Sequence, residues 1–224
     1  MDEDLSELER LEMAKKWWAE NYRSILAGAL IAVVVVGGWR YWQYRTQTRN
    51  EAASALFSDL ATAMQKKDDA AAEKTGGELM EKYADTAYAT HAALALAQLQ
   101  VTAGKLPEGE EKLQWAMDHG KDDGLKLVAR LRLARVKLAA GDAQGALGTL
   151  DVKETGGFAP LFDAVRGDAD VKLGKSADAR AAYQKALDAW TDELGDKSLL
   201  QMKLAALPAA PATAPAAATR TVKP

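Results

Sequence analysis

The chain has no cysteine, two histidines and six prolines in 224 residues. Without cysteine no disulfide can form and no lipoprotein anchor can be attached, while cytosol and periplasm both stay open. His91 and His119 lie far apart and neither has zinc-type spacing to another ligand. Alternating runs of Val, Ile and Thr are missing, so no strand is predicted. The formal net charge of −3 is too small to imply a nucleic-acid partner. The glycine pairs at 37–38, 76–77 and 156–157 lack the Lys and Ser or Thr that complete a phosphate loop. They read as one feature of an apolar helix and two loops. Asp122 and Asp123 have no matching carboxylates for calcium, and Glu110 with Glu111 reads as a solvated helix face. Catalytic residues, cofactor and metal are therefore all assigned as none, and the chain does not read as an enzyme.

What is present is helix-forming sequence, rich in alanine and poor in proline before Leu207. One run stands apart. Residues 24–39, SILAGALIAVVVVGGW, carry no charge. As a helix this run covers ~24 Å, slightly less than the ~30 Å hydrocarbon core of a bilayer. Aromatic side chains extend it at both ends: Trp17, Trp18 and Tyr22 before it, Trp39, Tyr41, Trp42 and Tyr44 at and after its close. Such rings gather at membrane–water interfaces, and Arg23 and Arg40 can snorkel to the headgroups. A single transmembrane helix is predicted over 24–42. The acidic start and the GWRYW ending at 38–42 do not fit a cleaved signal peptide. Along the span, Gly28 and Ala32 are four apart, and Ala29, Val33 and Gly37 follow the same row; small residues at that spacing let membrane helices pack closely, but lipid is the expected neighbour of that row.

Residues 1–23 read as a short acidic segment, with Ser6 and Glu9 spaced as a capping box. Arg10, Lys15, Lys16 and Arg23 precede the span, and Arg40, Arg45 and Arg49 follow it. The small excess of basic residues before the span favours a cytoplasmic N-terminus.

Residues 43–207 read as a series of helices organised by a repeat. Turns led by Gly104, Gly141 and Gly174 are 37 and 33 residues apart. Each has a small residue before it (Ala97, Ala134, Gly167), another after it (Gly109, Ala146, Ala179), then a large one (Leu113, Leu150, Tyr183). Ala116, Lys153 and Ala186 follow at the next register, where Lys153 breaks the pattern. Small residues let hairpin helices approach, and the large residue fills the space between hairpins. This order at this period resembles the tetratricopeptide repeat. Arg130, Asp163 and Arg166 stand where that repeat usually has apolar residues. An earlier unit pairs 51–65 with 70–83 across a glycine-free turn near Lys67.

The helix around 131–136, LRLARV, carries two apolar stripes. Leu131, Ala134 and Leu138 form one; Ala129, Leu133, Val136 and Ala140 form the other. Arg130 with Lys137, and Arg132 with Arg135, occupy the two edges between them. Such a helix must be packed on both sides, leaving a charged edge to line the concave face. Arg132 and Arg135 are the candidate partner-binding residues. A last helix over 196–207, capped by Asp196 or Ser198, is expected to cover the stack. Residues 208–224, rich in Ala and Pro, read as a flexible tail.

The succession of KWWAEN at 16–21, GWRYW at 38–42, LRLARV at 131–136, RGDA at 166–169 and LQMKLAAL at 200–207 resembles one family, the YfgM-like ancillary subunits of the bacterial Sec translocon. The resemblance covers roughly residues 7–207. It implies an all-α, membrane-anchored tetratricopeptide-like protein without catalytic residues. It further implies an inner-membrane location, a cytoplasmic N-terminus and a periplasmic repeat domain. The partners it implies are the SecYEG channel, a PpiD-like periplasmic chaperone and emerging secreted chains. A membrane-tethered repeat scaffold or regulator unrelated to secretion is the rival reading, and the oligomeric state stays open.

Overall fold

The computed structural model describes residues 7–208. Ser6, the first half of the expected capping box, and the tail after Pro208 lie outside the described residues. Among the described residues there are nine α-helices, two short 3-10 turns and no strand. The chain divides into two compact units, Met1–Ala52 and Ala53–Pro224.

Helix α1 (Glu7–Gln65) is 59 residues long and carries the whole apolar run. The sequence reading split this stretch into an acidic segment, a span and a first repeat helix. No proline interrupts it, and Gly37 and Gly38 only lower its local propensity, so propagation continues once the helix has nucleated. From Ala53 onward its character changes: Ala53, Leu60 and Ala63 are buried, packed with Ala72, Leu79, Ala92 and Leu96.

The body continues with α2 (Asp69–Lys82), α3 (Ala87–Thr102), α4 (Leu106–His119), α5 (Asp123–Ala139) and α6 (Ala143–Leu150). It closes with α7 (Ala159–Lys172), α8 (Ser176–Asp188) and α9 (Ser198–Ala205). From α2 on, each helix packs on the next, and α5 also touches α3 and α7. This is a stack of helix hairpins, as the repeat predicts.

The hairpin turns share one hydrogen-bond pattern. At Gly104 the two bonds run from its N–H to Val101 O (3.0 Å) and from Lys105 N–H to Gln100 O (2.9 Å). Gly141 with Asp142 and Gly174 with Lys175 repeat it. This C-terminal motif needs a left-handed residue, and the glycines supply φ of 78°, 89° and 73°. The glycine-free turn obeys the same rule at Lys67, whose φ is 56°. Asp68, Asp122 and Asp142 cap the following helices, each accepting from the N–H three residues on.

The small residues do what the spacing implies. Ala97, Ala134, Ala146 and Ala179 are buried, as are Leu113, Leu150 and Tyr183. Both stripes of α5 find partners. Ala129, Leu133 and Val136 join Ala93, Ala97, Leu113 and Ala116, while Leu131 and Ala134 join Ala146, Leu150, Phe162 and Val165.

Several details differ from the sequence reading. Gly76 and Gly77 are not a loop but sit inside α2, where a Cβ on Gly76 would stand 2.7 Å from Leu96. Gly76 permits close helix approach rather than a turn, while Gly77 faces open space. Lys153 does not interrupt a helix, because α6 already ends at Leu150 and Lys153 lies exposed in the connection beyond it. Ala140 is the exposed C-cap of α5, outside its buried stripe. The last helix starts at Ser198, not Asp196, and Asp196 instead accepts from the Ser198 N–H and hydroxyl at 2.9 and 2.7 Å.

Candidate functional site

The apolar stretch of α1 is the first candidate. Apart from the half-buried Ile25 its residues are exposed, Val33 by 69% and Trp39 by 61%. This is the chain's one described helix long and apolar enough to cross a membrane. A Cβ on Gly28, Gly37 or Gly38 would meet no neighbour within 4 Å, and Ala32 is likewise exposed. At the rims, Trp39 and Trp42 approach with ring centroids 5.9 Å apart. Arg23 lies beside Tyr22, donating from Nε to the phenol oxygen at 3.2 Å. Trp17 and Trp18, with Arg40 and Tyr41, are exposed, as interfacial groups would be.

The second candidate is built on α5, whose two charged edges have different fates. On one edge Arg130 donates to Thr149 O (3.0 Å), and Lys137 stands 4.0 Å from Glu110 and 3.9 Å from Asp142. That edge is spent on holding the stack. On the other edge Arg132 and Arg135 are exposed and make no hydrogen bond or ion pair among the described residues. Together with Ala97, Gln98, Val101, Leu113 and Val136 they line a cavity of about 360 Å³. Arg135 also lines a second cavity of about 510 Å³, with Leu138, Asp168, Val171, Lys172 and Lys203 among its walls. Partial desolvation holds the Arg135 guanidinium below its ordinary value; Asp168 opposes this and Arg132 adds to it.

Asp168 is already paired. Lys203 of α9 reaches both its oxygens at 2.7 and 2.8 Å, and the Tyr183 hydroxyl donates to it at 2.7 Å. Burial of the Tyr183 ring, then this acceptor, push its phenol well above the ordinary range. Sequence reasoning missed Asp168, Lys172 and Lys203. The repeat register contains part of the signal: Gln98, Arg135 and Asp168 each follow a small residue of the pattern, and Val101, Leu138 and Val171 come three positions later. No comparable signal marks Lys203, which reaches the cavity from a helix outside the repeat.

The polar residues that break the repeat pattern are structural. Arg166 donates to Asp163 at 2.9 Å and to Leu150 O at 2.8 Å, and Lys185 stands 3.1 Å from the buried Asp163. With Arg130 on Thr149 O, two guanidinium groups take carbonyls in the last turn of α6, where the helix dipole also favours positive charge.

The histidines do not converge. His91 is exposed, with its ring 6.0 Å from Phe57. His119 ends α4 and stacks on Trp115 at 4.5 Å. A third cavity, about 520 Å³ between α2, α3 and α4, is lined by Glu73, Glu81, Glu108 and Glu111 against one cation, Lys112.

The profile of the tetratricopeptide repeat-like domain matches residues 15–209. The ancillary SecYEG translocon subunit of Escherichia coli (strain K12) is 32% identical over 182 residues, covering 80% of this chain and 86% of that protein. The protein of the same name in Aggregatibacter actinomycetemcomitans is 31% identical, covering 81% and 89%. That of Neisseria gonorrhoeae is 28% identical over 206 residues, covering 91% and 98%.

Proposed function

We infer the function from one premise: this chain belongs to the tetratricopeptide repeat-like family of ancillary SecYEG translocon subunits. It acts as a non-enzymatic adaptor of the Sec translocon. The apolar stretch of α1 anchors it in the inner membrane, with residues 1–23 in the cytoplasm and the helix stack in the periplasm. There the stack binds a PpiD-like chaperone and assists the hand-over of secreted chains. The free edge of α5, with Arg132 and Arg135, supplies contact residues. The observation that carries this reading is that one family profile runs through both parts, the exposed apolar helix and the repeat body, over residues 15–209.

Two experiments test it. The full-length protein is purified by affinity tag from gently solubilised membranes, beside a variant lacking residues 1–42. Channel subunits and a periplasmic chaperone are expected with the first and reduced with the second. Recovery of cytosolic regulators alone would refute the adaptor role. In spheroplasts, external protease is expected to digest the stack; full protection would reverse the orientation.

A further inference from the structure

We propose that the free edge of α5 receives an acidic segment of a partner protein. Two side-chain carboxylates of that segment meet Arg132 and Arg135, and an apolar residue enters the cavity walled by Val101, Leu113 and Val136. This rests on the reading of the helix stack as a partner-binding surface and names the chemistry of what it binds.

The use of arginine in the body singles out this edge. The body holds five described arginines: Arg130, Arg132, Arg135, Arg166 and Arg180. Three are committed to backbone carbonyls: Arg130 to Thr149, Arg166 to Leu150, and Arg180 to Leu207 and Pro208. The remaining two, Arg132 and Arg135, line the same 360 Å³ cavity. They are three residues apart on one helix, so their side chains are neighbours and their like charges repel. Nothing in the fold requires this juxtaposition, and a pair of carboxylates would relieve it.

The charge balance of the walls favours an acid as well. Arg132, Arg135, Lys172 and Lys203 line the two cavities that share Arg135, against the single carboxylate of Asp168. That carboxylate already holds Lys203 and the Tyr183 hydroxyl, so it offers little repulsion to an incoming acid. The remaining lining is largely apolar. Partial desolvation strengthens the charge-assisted hydrogen bonds a carboxylate would form there.

Geometry limits the ligand. Cβ atoms three apart on a helix are ~5–6 Å apart. Carboxylates at alternate positions of an extended segment match that spacing, because residues two apart span ~6.6 Å and point the same way. The intervening side chain points away, so the apolar residue is the one next in the alternation. The body carries its own control. The cavity between α2, α3 and α4 has four glutamates and would reject the same segment.

The probe is a fluorescein-labelled, end-blocked peptide with Glu at two alternate positions and Leu at the next. Anisotropy is read on the full-length protein in detergent micelles. The acidic peptide is expected to bind, with affinity falling as salt rises. Its Gln counterpart is expected to bind at least about tenfold more weakly, and so is the acidic peptide on Arg132→Glu/Arg135→Glu. Arg132→Gln/Arg135→Gln serves in its place if charge reversal perturbs the fold, as judged by helicity and melting temperature. The Lys112→Glu variant, altered in the other cavity, should bind like the unaltered protein. No binding of the acidic peptide, equal binding of the Gln peptide, or unchanged binding to the arginine variants would each overturn the proposal. Its failure is distinguishable from failure of the adaptor role, which is read by co-purification of channel subunits and not by peptide affinity.

Discussion

The most apolar described helical stretch is almost wholly exposed, and one of the most charged helices buries half of its residues. Within α1, Val33, Val34 and Val35 are exposed by 69, 65 and 63%. Helix α7, with Asp163, Arg166, Asp168, Asp170 and Lys172 in 14 residues, buries Phe162 completely and leaves Asp163 only 4% exposed. Hydropathy therefore orders these two helices opposite to their burial within the protein. The valines are built for a solvent the body does not provide, a bilayer core. Asp163 is buried and Asp168 half-buried because named donors meet them: Arg166 and Lys185 on Asp163, Lys203 and Tyr183 on Asp168. Burial here follows the availability of partners rather than polarity alone.

Placing one substitution in both helices sharpens that contrast most. Val165→Asp buries an unpartnered carboxylate and is expected to abolish the cooperative thermal transition of the body, a loss exceeding ~4 kcal/mol. Val34→Asp is expected to leave that transition unchanged and to reduce membrane retention, at ~2.5–3.5 kcal/mol for a charge at a span centre. Circular dichroism melts in detergent and alkaline extraction of membranes read the two effects. Loss of the body transition in both variants would erase the distinction.

Arg166→Met strands the Leu150 carbonyl and leaves Asp163 with Lys185 alone. A destabilisation of ~2–4 kcal/mol is expected in chemical denaturation. Arg40→Met, on the exposed aromatic rim of α1, should leave the same midpoint in place.

Glycine offers a subtler comparison. A Cβ on Gly167 of α7 would collide with the Tyr183 ring, whereas one on Gly37 of α1 meets nothing. Gly167→Ala is expected to lower body stability by ~1–3 kcal/mol. Gly37→Ala should change helix content slightly upward, by at most ~1 kcal/mol of propensity. Equal effects on the denaturation midpoint would show that the two glycines do not differ in packing.

The smallest effect concerns Asp170. Burial, then the Asp178 charge, raise its carboxyl above the ordinary value of 3.8, with Lys175 opposing. The folded state therefore holds this proton to higher pH than the unfolded chain does. Stability from this group falls as pH rises through the window above 3.8. Asp170→Asn should melt slightly higher than the unaltered protein at neutral pH. The difference should vanish in acid, and a gap that persists below the carboxylate range would contradict the assignment.

Much of this was legible in the sequence. The turn glycines were, because a left-handed residue leaves a mark at a fixed period, and the charge-free run with its aromatic rims was equally plain. Both stripes of α5 were readable because each faces a separate apolar cluster. The rest depends on neighbours. Gly76 looks like a loop residue until Leu96 is seen against it. Lys153 looks like a broken repeat until α6 is seen to stop at Leu150. Arg132 and Arg135 could be named as an edge, but only the carbonyl and carboxylate contacts of Arg130 and Lys137 reveal which edge remains free. The cavity Arg135 shares with Lys203 depends on α9, which no repeat register locates.

Helix α6 has eight residues, too few to hold its shape without neighbours. Its final carbonyls are closed by one arginine from α5 and one from α7. A chain made from its N-terminus thus reaches Leu150 before the residue that completes the helix exists. Arg166 follows 16 positions later, a lag on the order of 1–3 s at ordinary rates of synthesis. During that interval Leu131, Ala146 and Leu150 lack the Phe162 and Val165 that cover them in the finished molecule. The stack has a direction in time as well as in space: each hairpin can be started by its own residues, but this one is finished by the next.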